Sequence, residues 1–375
     1  MHKKLYIGLG AVLAATALIP ATAAAKKPAK KPNKPTVTTF ATGLNNPRGL
    51  AFGPDGALYV AEGGLGGSQM TTSADCTQVP APIGPYSGGL TARISKIDKN
   101  GVRTTVVDNL PSSQTSAASG SLVSGVSDVA FIGHTLYALE AGAGCSHGLK
   151  GTDNLLVRVN SDGTTTQVAD LSAFLRSHPV KNPDAGDFEP DGTWYSVVAV
   201  RGALYATEPN HQEVDRINPK TGQIRRVVDL SKMFVPPAGW QGPTAITYKG
   251  DFFFGTLGTF PVTPGTEAIY KLTPSGRVRR WATGLTTVLG IVFDKRGRLY
   301  ALESMTAKGN PGPSEAGTGE VVQVGRNGKT KTIATGLSFP SAMTLGPDGA
   351  LYVSNLGFGV PVPGAGQIVR ITIPK

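Results

Sequence analysis

A Leu-Tyr dipeptide, or its aromatic equivalent, returns six times along the chain, at Leu58-Tyr59, Leu136-Tyr137, Leu204-Tyr205, Phe252-Phe253, Leu299-Tyr300 and Leu351-Tyr352. The first copy lies in Asn46 to Glu62, NPRGLAFGPDGALYVAE. There Leu50 and Phe52, then Leu58 and Val60, alternate with small or polar neighbours on either side of Pro54-Asp55-Gly56. A period of two marks strands, and Asp-Gly closes a tight hairpin between them. The intervals between copies run from 47 to 78 residues, bracketing the size of one four-stranded propeller blade.

Each copy continues into a third strand: Ala92 to Asp98, Leu155 to Asn160, Val214 to Asn218, Ala268 to Thr273, Glu320 to Gly325 and Gln367 to Thr372. Five of them then turn at a glycine into an outer strand such as Arg277 to Ala282 or Lys329 to Ala334. The sixth runs out at Ile373, two residues from the terminus, while Thr36 to Thr42, TVTTFAT, stands alone before the first hairpin. The expected fold is therefore all-β: a six-bladed β-propeller with four-stranded blades, closed by the N-terminal strand completing the last blade and hiding the sheet edges. With strands A to D running outward from the axis, the A-B and C-D turns are short. Long loops gather on the opposite face, and loops held by a rigid scaffold are where binding surface accumulates.

High Gly (49) and Pro (28) with only 16% charged residues suit regular turns rather than disorder. Lys3 and Lys4, the apolar run Leu5 to Pro20 and Ala23-Ala24-Ala25 form an export signal, expected to be cut after Ala25. The division expected is residues 1–25 signal peptide, 26–35 Lys/Pro-rich linker and 36–375 propeller, with a secreted, extracellular or periplasmic location. The formal charge of +11 falls to +4 once the signal and the five lysines of the linker are set aside. That excludes a nucleic-acid footprint on the ring. The expected partners are an extracellular ligand or protein, with weak contact between the Lys-rich tail and an anionic cell surface, and the ring is expected to be monomeric. Cys76 and Cys145, in long loops of neighbouring blades, are expected to form a disulfide.

Several segments together resemble the ScyD/ScyE family of secreted NHL-like propellers, over about Val37 to Ile373. They are GLNNPRGLAFGPDGALYVAE, DFEPDGT at Asp187 to Thr193, EPNH at Glu208 to His211, GPTAI at Gly242 to Ile246 and LGTFPVTPG at Leu257 to Gly265. The resemblance implies an exported six-bladed propeller and no agreed catalytic set.

Glu62, Glu140, Glu208 and Glu303 end strand B in four copies, where Thr256 and Asn355 stand in the other two. Converging carboxylates would suit Ca²⁺. The competing reading is that each accepts loop amides. At the start of strand A, where propeller hydrolases of the gluconolactonase and paraoxonase type place metal-binding acids, this chain has Arg48, Ser127, Tyr195, Thr244, Leu289 and Ser341, with Asp128 alongside. No cofactor is assigned on that tier. The candidate catalytic blade is the third, with His211 beside Glu208 and the acidic run Asp187, Glu189 and Asp191, and with Trp194 and Tyr195 as apolar walls. Arg48, Tyr195, Trp194, Asn210, Trp240 and Phe260 are the candidate ligand-face residues. The principal functional expectation is a non-catalytic binding or scaffold propeller using its long-loop face. Its rival is an extracellular hydrolase, lactonase or quinone-dependent oxidoreductase with a site near His211.

Overall fold

A computed structural model describes residues 34–186, 188–233, 241–325, 328–359 and 362–373. Asp187, Trp240, residues 1–25, expected to be an export signal, and residues 26–33 of the expected linker lie outside the described residues.

Six antiparallel sheets ring an axis. Blade 1 is built on Pro47–Phe52, Leu58–Glu62, Ser87–Ile97 and Arg103–Gln114. Blade 2 uses Val126–Ile132, Thr135–Glu140, Leu155–Val159 and Thr165–Asp170, and blade 3 uses Ser196–Val200, Ala203–Glu208, Glu213–Ile217 and Ile224–Asp229. Blade 4 comprises Gln241–Lys249, Asp251–Gly258, Glu267–Leu272 and Val278–Leu285. Blade 5 comprises Val288–Phe293, Leu299–Glu303, Gly319–Val324 and Thr330–Leu337. Blade 6 takes Ala342–Leu345, Leu351–Asn355 and Gly366–Thr372 from the C-terminal end and its outer strand, Thr36–Leu44, from the N-terminal end. The register runs from Thr36 opposite Thr372 to Leu44 opposite Gly366, so the ring closes as its repeats require.

The recurring dipeptide has a packing reason. Successive residues of a strand point to opposite faces, so in each copy the first side chain enters the interface with the preceding blade and the second enters the interface with the next. Leu58 packs with Leu44, Tyr352 and Ile368 of blade 6, while Tyr59 packs against Val129 and Phe131 of blade 2. Leu136 and Tyr137, Leu204 and Tyr205, Phe252 and Phe253, Leu299 and Tyr300, and Leu351 and Tyr352 divide in the same way between adjoining clusters. The core is thus six inter-blade layers.

Blade 1 is larger than four strands. Gln69–Met70 pairs with Ser87 and Gly88, and Val123–Ser124 pairs with Ser113 and Gln114, turning parts of two long loops into sheet. The loop entering blade 3 carries a helix, Leu171–Ser177, whose N-cap Asp170 accepts from the Ala173 amide at 2.8 Å. Its Leu171 and Leu175 bury beside Trp194. The Cys76–Cys145 disulfide is formed and ties the B-C loops of blades 1 and 2. No helix among the described residues is long and apolar enough to cross a membrane.

Candidate functional site

The innermost strands enclose an axial channel of about 390 Å³, lined by residues such as Gly49, Asp128, Ser196, Ile246, Leu289 and Met343. It stops at the tier that opens each innermost strand. There Tyr195 of blade 3 reaches the opposite blade, its hydroxyl donating to the Ser341 carbonyl at 2.7 Å. Burial pushes its phenol up to about 12, against the pull of Arg48. The Arg48 guanidinium lies 5.1 Å from the Tyr195 ring centroid and 5.9 Å from that of Phe358. The same tier stitches the blades together. Ser341 donates to the Pro47 carbonyl at 2.6 Å, Ser354 to the Arg48 carbonyl at 2.6 Å, and Thr244 to the Val288 carbonyl.

Arg48 is only 4% exposed, yet among the described residues no carboxylate lies within ion-pair distance of it. Its hydrogen bond to the Gly357 carbonyl is long, at 3.5 Å. Asp128, the acid beside this tier, is committed elsewhere: it accepts from the Val129 and Val197 amides, each at 2.8 Å, and from Ser196 at 2.9 Å. Burial still pushes Asp128 up to about 7 despite those donors and the Arg48 charge.

Next to Arg48, Phe358 stacks with Phe260 at 6.1 Å and walls a shallow apolar crevice with Leu257, Leu289, Met305 and Phe339. Leu289 faces both this crevice and the axial channel. Phe339 holds φ at 42°, a left-handed backbone that a bulky side chain seldom adopts. Asn46 and Thr287 occupy the equivalent place with φ of 48° and 43°, so the repeat imposes the conformation and blade 6 fills it with an aromatic ring. The amides of Gly357 and Phe358 both donate to the Phe339 carbonyl, at 3.1 and 3.2 Å.

The strand-B carboxylates do not gather into a shared cage; each serves its own blade. Glu62 accepts from the Asn45 amide at 2.6 Å, Glu208 from the Thr193 amide at 2.8 Å and Glu303 from the Thr286 amide at 2.6 Å. Asn355 takes the same part toward the Ser338 amide at 2.8 Å. Glu62 also pairs with Arg93 at 2.8 Å. Burial pushes Glu140 and Glu303 each up to about 7. For Glu208 burial acts in the same direction but is outweighed by the His211 charge and by hydrogen bonds from His211 and Thr193, so its carboxyl sits below the usual value. Among the described residues no group of three or more His, Cys, Asp and Glu side chains is arranged to hold a metal ion.

The proposed acidic surround of His211 is dispersed. His211 keeps Glu208, whose Oε2 lies 3.3 Å from its Nδ1, and meets the edge of the Phe188 ring at 5.4 Å. Asn210 is buried beside it. Glu189 turns away, toward loops of blades 1 and 2, where it accepts from the Tyr86 hydroxyl at 2.6 Å and lies 3.4 Å from His147 Nε2. Asp191 accepts from the Ser146 amide and hydroxyl at 2.8 and 2.7 Å and pairs with Arg176 at 2.6 Å. Trp194 is not a pocket wall but a wholly buried core residue.

Sequence reasoning passed over His147. It is fully buried, stacked on Tyr86 at 4.6 Å, with Nδ1 3.0 Å from Ser113 Oγ. Serine, histidine and glutamate thus follow one another as in a hydrolase relay, but Ser113 is wholly buried and the group fastens three loops together. No short motif announces it, because its members come from distant parts of the chain.

A family model described as a repeat of unknown function (DUF6923) matches residues 133–350. No curated protein matches the chain. Similar solved structures include a gluconolactonase from Xanthomonas campestris, at TM-score 0.54 and 12% identity, over 90% of this chain and 89% of that one. A putative oxidoreductase (glucose dehydrogenase) from Thermus thermophilus aligns at TM-score 0.55 and 16% identity, over 90% of this chain and all of the other. Likeness at such identity speaks for the fold alone.

Proposed function

Starting from a chain that belongs to the DUF6923 repeat family, we propose that it is an exported, non-catalytic binding propeller of the ScyD/ScyE kind. Its ligand is a small organic anion with a flat apolar body, taken on the long-loop face. The observation that carries this reading is Arg48: a buried guanidinium, stacked on two rings and lacking a carboxylate partner among the described residues. Burying a charge without a counter-charge is costly, so an anionic group seated there relieves a penalty the fold already carries. The crevice of Leu257, Phe260, Met305, Phe339 and Phe358 adjoins it; holding only about 10 Å³, it offers an apolar surface for the ligand's apolar end to lie against rather than a cavity to enclose it.

The enzyme reading would need Glu208 and His211 to face a substrate, whereas both are buried and Glu208 is occupied by loop donors. The exported location rests on the disulfide, which persists in oxidising compartments.

Calorimetric titration with benzoate, phenylacetate and phenyl phosphate tests the proposal. Binding by the wild type should be lost in Arg48→Met, weakened in Phe358→Ala and kept in His211→Ala. No binding by the wild type, or binding that survives Arg48→Met, overturns it. Lactone hydrolysis or sugar oxidation that disappears with His211→Ala would establish the enzyme instead.

A further inference from the structure

The outer strands of the blades differ in a way the fold does not require. On strand C, one position in each blade lies opposite the strand-B aromatic: Lys96, Arg158, Arg216, Lys271, Gln323 and Arg370 face Tyr59, Tyr137, Tyr205, Phe253, Tyr300 and Tyr352. Where a cation stands there it serves the repeat, as Lys96 and Lys271 do by lying over those rings at 5.7 and 5.9 Å. The strand-D residue paired with this position is Thr104 in blade 1, Thr166 in blade 2 and Thr38 in blade 6. In blades 3, 4 and 5 it is Arg225, Arg279 and Lys331.

Threonine is the strand former suited to such an exposed site. Blades 3 and 4 instead place like charges opposite one another, Arg216 against Arg225 and Lys271 against Arg279, a destabilising arrangement, while blade 5 sets Lys331 against Gln323. Arg225, Arg279, Arg280, Arg277 and Lys331 are exposed and form no ion pair among the described residues. Nearby carboxylates are already taken, Glu213 by Arg226 and Asp251 by Lys271. Arg279 and Arg280 are held outward over Trp281 and Tyr270, at 5.5 and 5.9 Å.

These cations form one arc. A Cβ placed on Gly276, in the turn before Arg277, would lie 2.9 Å from the Val227 carbonyl of blade 3. One placed on Gly328 would lie 3.7 Å from Ala282 of blade 4. The outer strands of blades 3, 4 and 5 therefore follow one another around the rim without a gap. Residues 241–337 contain twelve Lys and Arg against six Asp and Glu, while the rest of the ring is slightly acidic.

We infer that the rim of blades 3 to 5 is a docking surface for a linear anionic polysaccharide, separate from the Arg48 site. A convex edge with one cation set per blade complements a hydrophilic chain of repeated negative charges. The outer strands of blades 3 to 5 carry no exposed large apolar side chain among the described residues, so the rim lacks what would insert into a lipid surface or anchor a folded partner.

Fluorescence anisotropy with labelled polygalacturonate, read across a salt series on the full chain, is the test. The variant is Arg225→Thr, Arg279→Thr, Lys331→Thr, which installs the residues used by blades 1, 2 and 6 and so preserves folding. It should bind about tenfold more weakly with a shallower dependence on salt. A control removing three cations elsewhere, Lys99→Thr, Lys150→Thr, Arg158→Thr, all on blades 1 and 2, should change affinity about twofold or less. Arg48→Met should leave polymer binding intact, which separates this surface from the axial site. Equal losses in both triple variants, no binding by the wild type, or preferential binding of phosphatidylglycerol vesicles or duplex DNA over polygalacturonate would each overturn the proposal.

Discussion

The Tyr195 hydroxyl in blade 3 donates to the Ser341 carbonyl in blade 6 at 2.7 Å, joining opposite sides of the ring across its axis. A propeller is otherwise held by contacts between neighbours, so this is a tie the repeat does not supply. Tyr195→Phe keeps the ring under Arg48 but leaves a buried carbonyl without its donor. The expected cost is about 1 kcal/mol of unfolding free energy, read by denaturant titration. An unchanged midpoint would mean that solvent replaces the hydroxyl and that the tier is more open than it stands here.

Glu140 gives a pH dependence with a definite sign. Burial pushes its carboxyl up to about 7, with the Leu155 amide opposing, so between the ordinary glutamate value and 7 the folded chain holds a proton that the unfolded chain has released. Stability from this group is therefore fully present below the unfolded value and declines as pH rises through that window. In Glu140→Gln the decline should shrink by about 3 kcal/mol or less, measured as unfolding free energy at pH 5 and pH 8. Equal pH profiles for wild type and variant would show that the carboxyl is solvated.

Such effects separate what the sequence could reveal from what it could not. The blade boundaries were legible because each Leu-Tyr copy carries its own two-sided packing instruction, and the closing strand because Thr36–Leu44 has no local partner. The disulfide followed from two loops on adjacent blades. The helix Leu171–Ser177 was written in the chain, with Asp170 as cap and Leu171 and Leu175 on one face, but a long connection hid it. The paths of Glu189 and Asp191 were not legible. Closeness to His211 in sequence suggested closeness in space, whereas Tyr86 and Ser146, far back in the chain, decide where these acids go. Arg48 was legible as a ligand-face candidate on the tier where related propellers place acids, but its burial without a carboxylate partner among the described residues was not, because that depends on side chains from other blades.

Two glycines should answer alanine very differently. A Cβ on Gly49 would fall 1.8 Å from Asp128 Oδ1 and 2.6 Å from the Asp128 Cα, at the junction of blades 1 and 2. Gly43 has φ of 81° and nothing within 4 Å of the added atom. Gly43→Ala should cost about 1–2 kcal/mol of left-handed strain. Gly49→Ala should cost about 3 kcal/mol or more, because backbone as well as side chain must move. Comparable losses would show that the two blades separate easily.

The ring closure can be tested by removing the strand that performs it. A chain beginning at Asn45 lacks Thr36–Leu44, and with it Ala41 and Leu44 from the core between blades 6 and 1 and the whole ladder along Gly366–Thr372. Burying Leu44 alone is worth about 2–3 kcal/mol, and the freed strand would present unpaired amides and carbonyls to solvent, the usual seed of edge-to-edge association. The truncated chain should melt at lower temperature and form soluble aggregates on size exclusion. A synthetic peptide of sequence TVTTFATGL, added in excess, should restore the monomer by pairing with Gly366–Thr372 as the native strand does. A chain beginning at Pro35 is the control, since it keeps the closing strand. If the truncated chain were monomeric and melted with that control, blades 1 and 6 would be joined by their inner strands alone, through contacts such as Ser341 to Pro47 and Ser354 to Arg48.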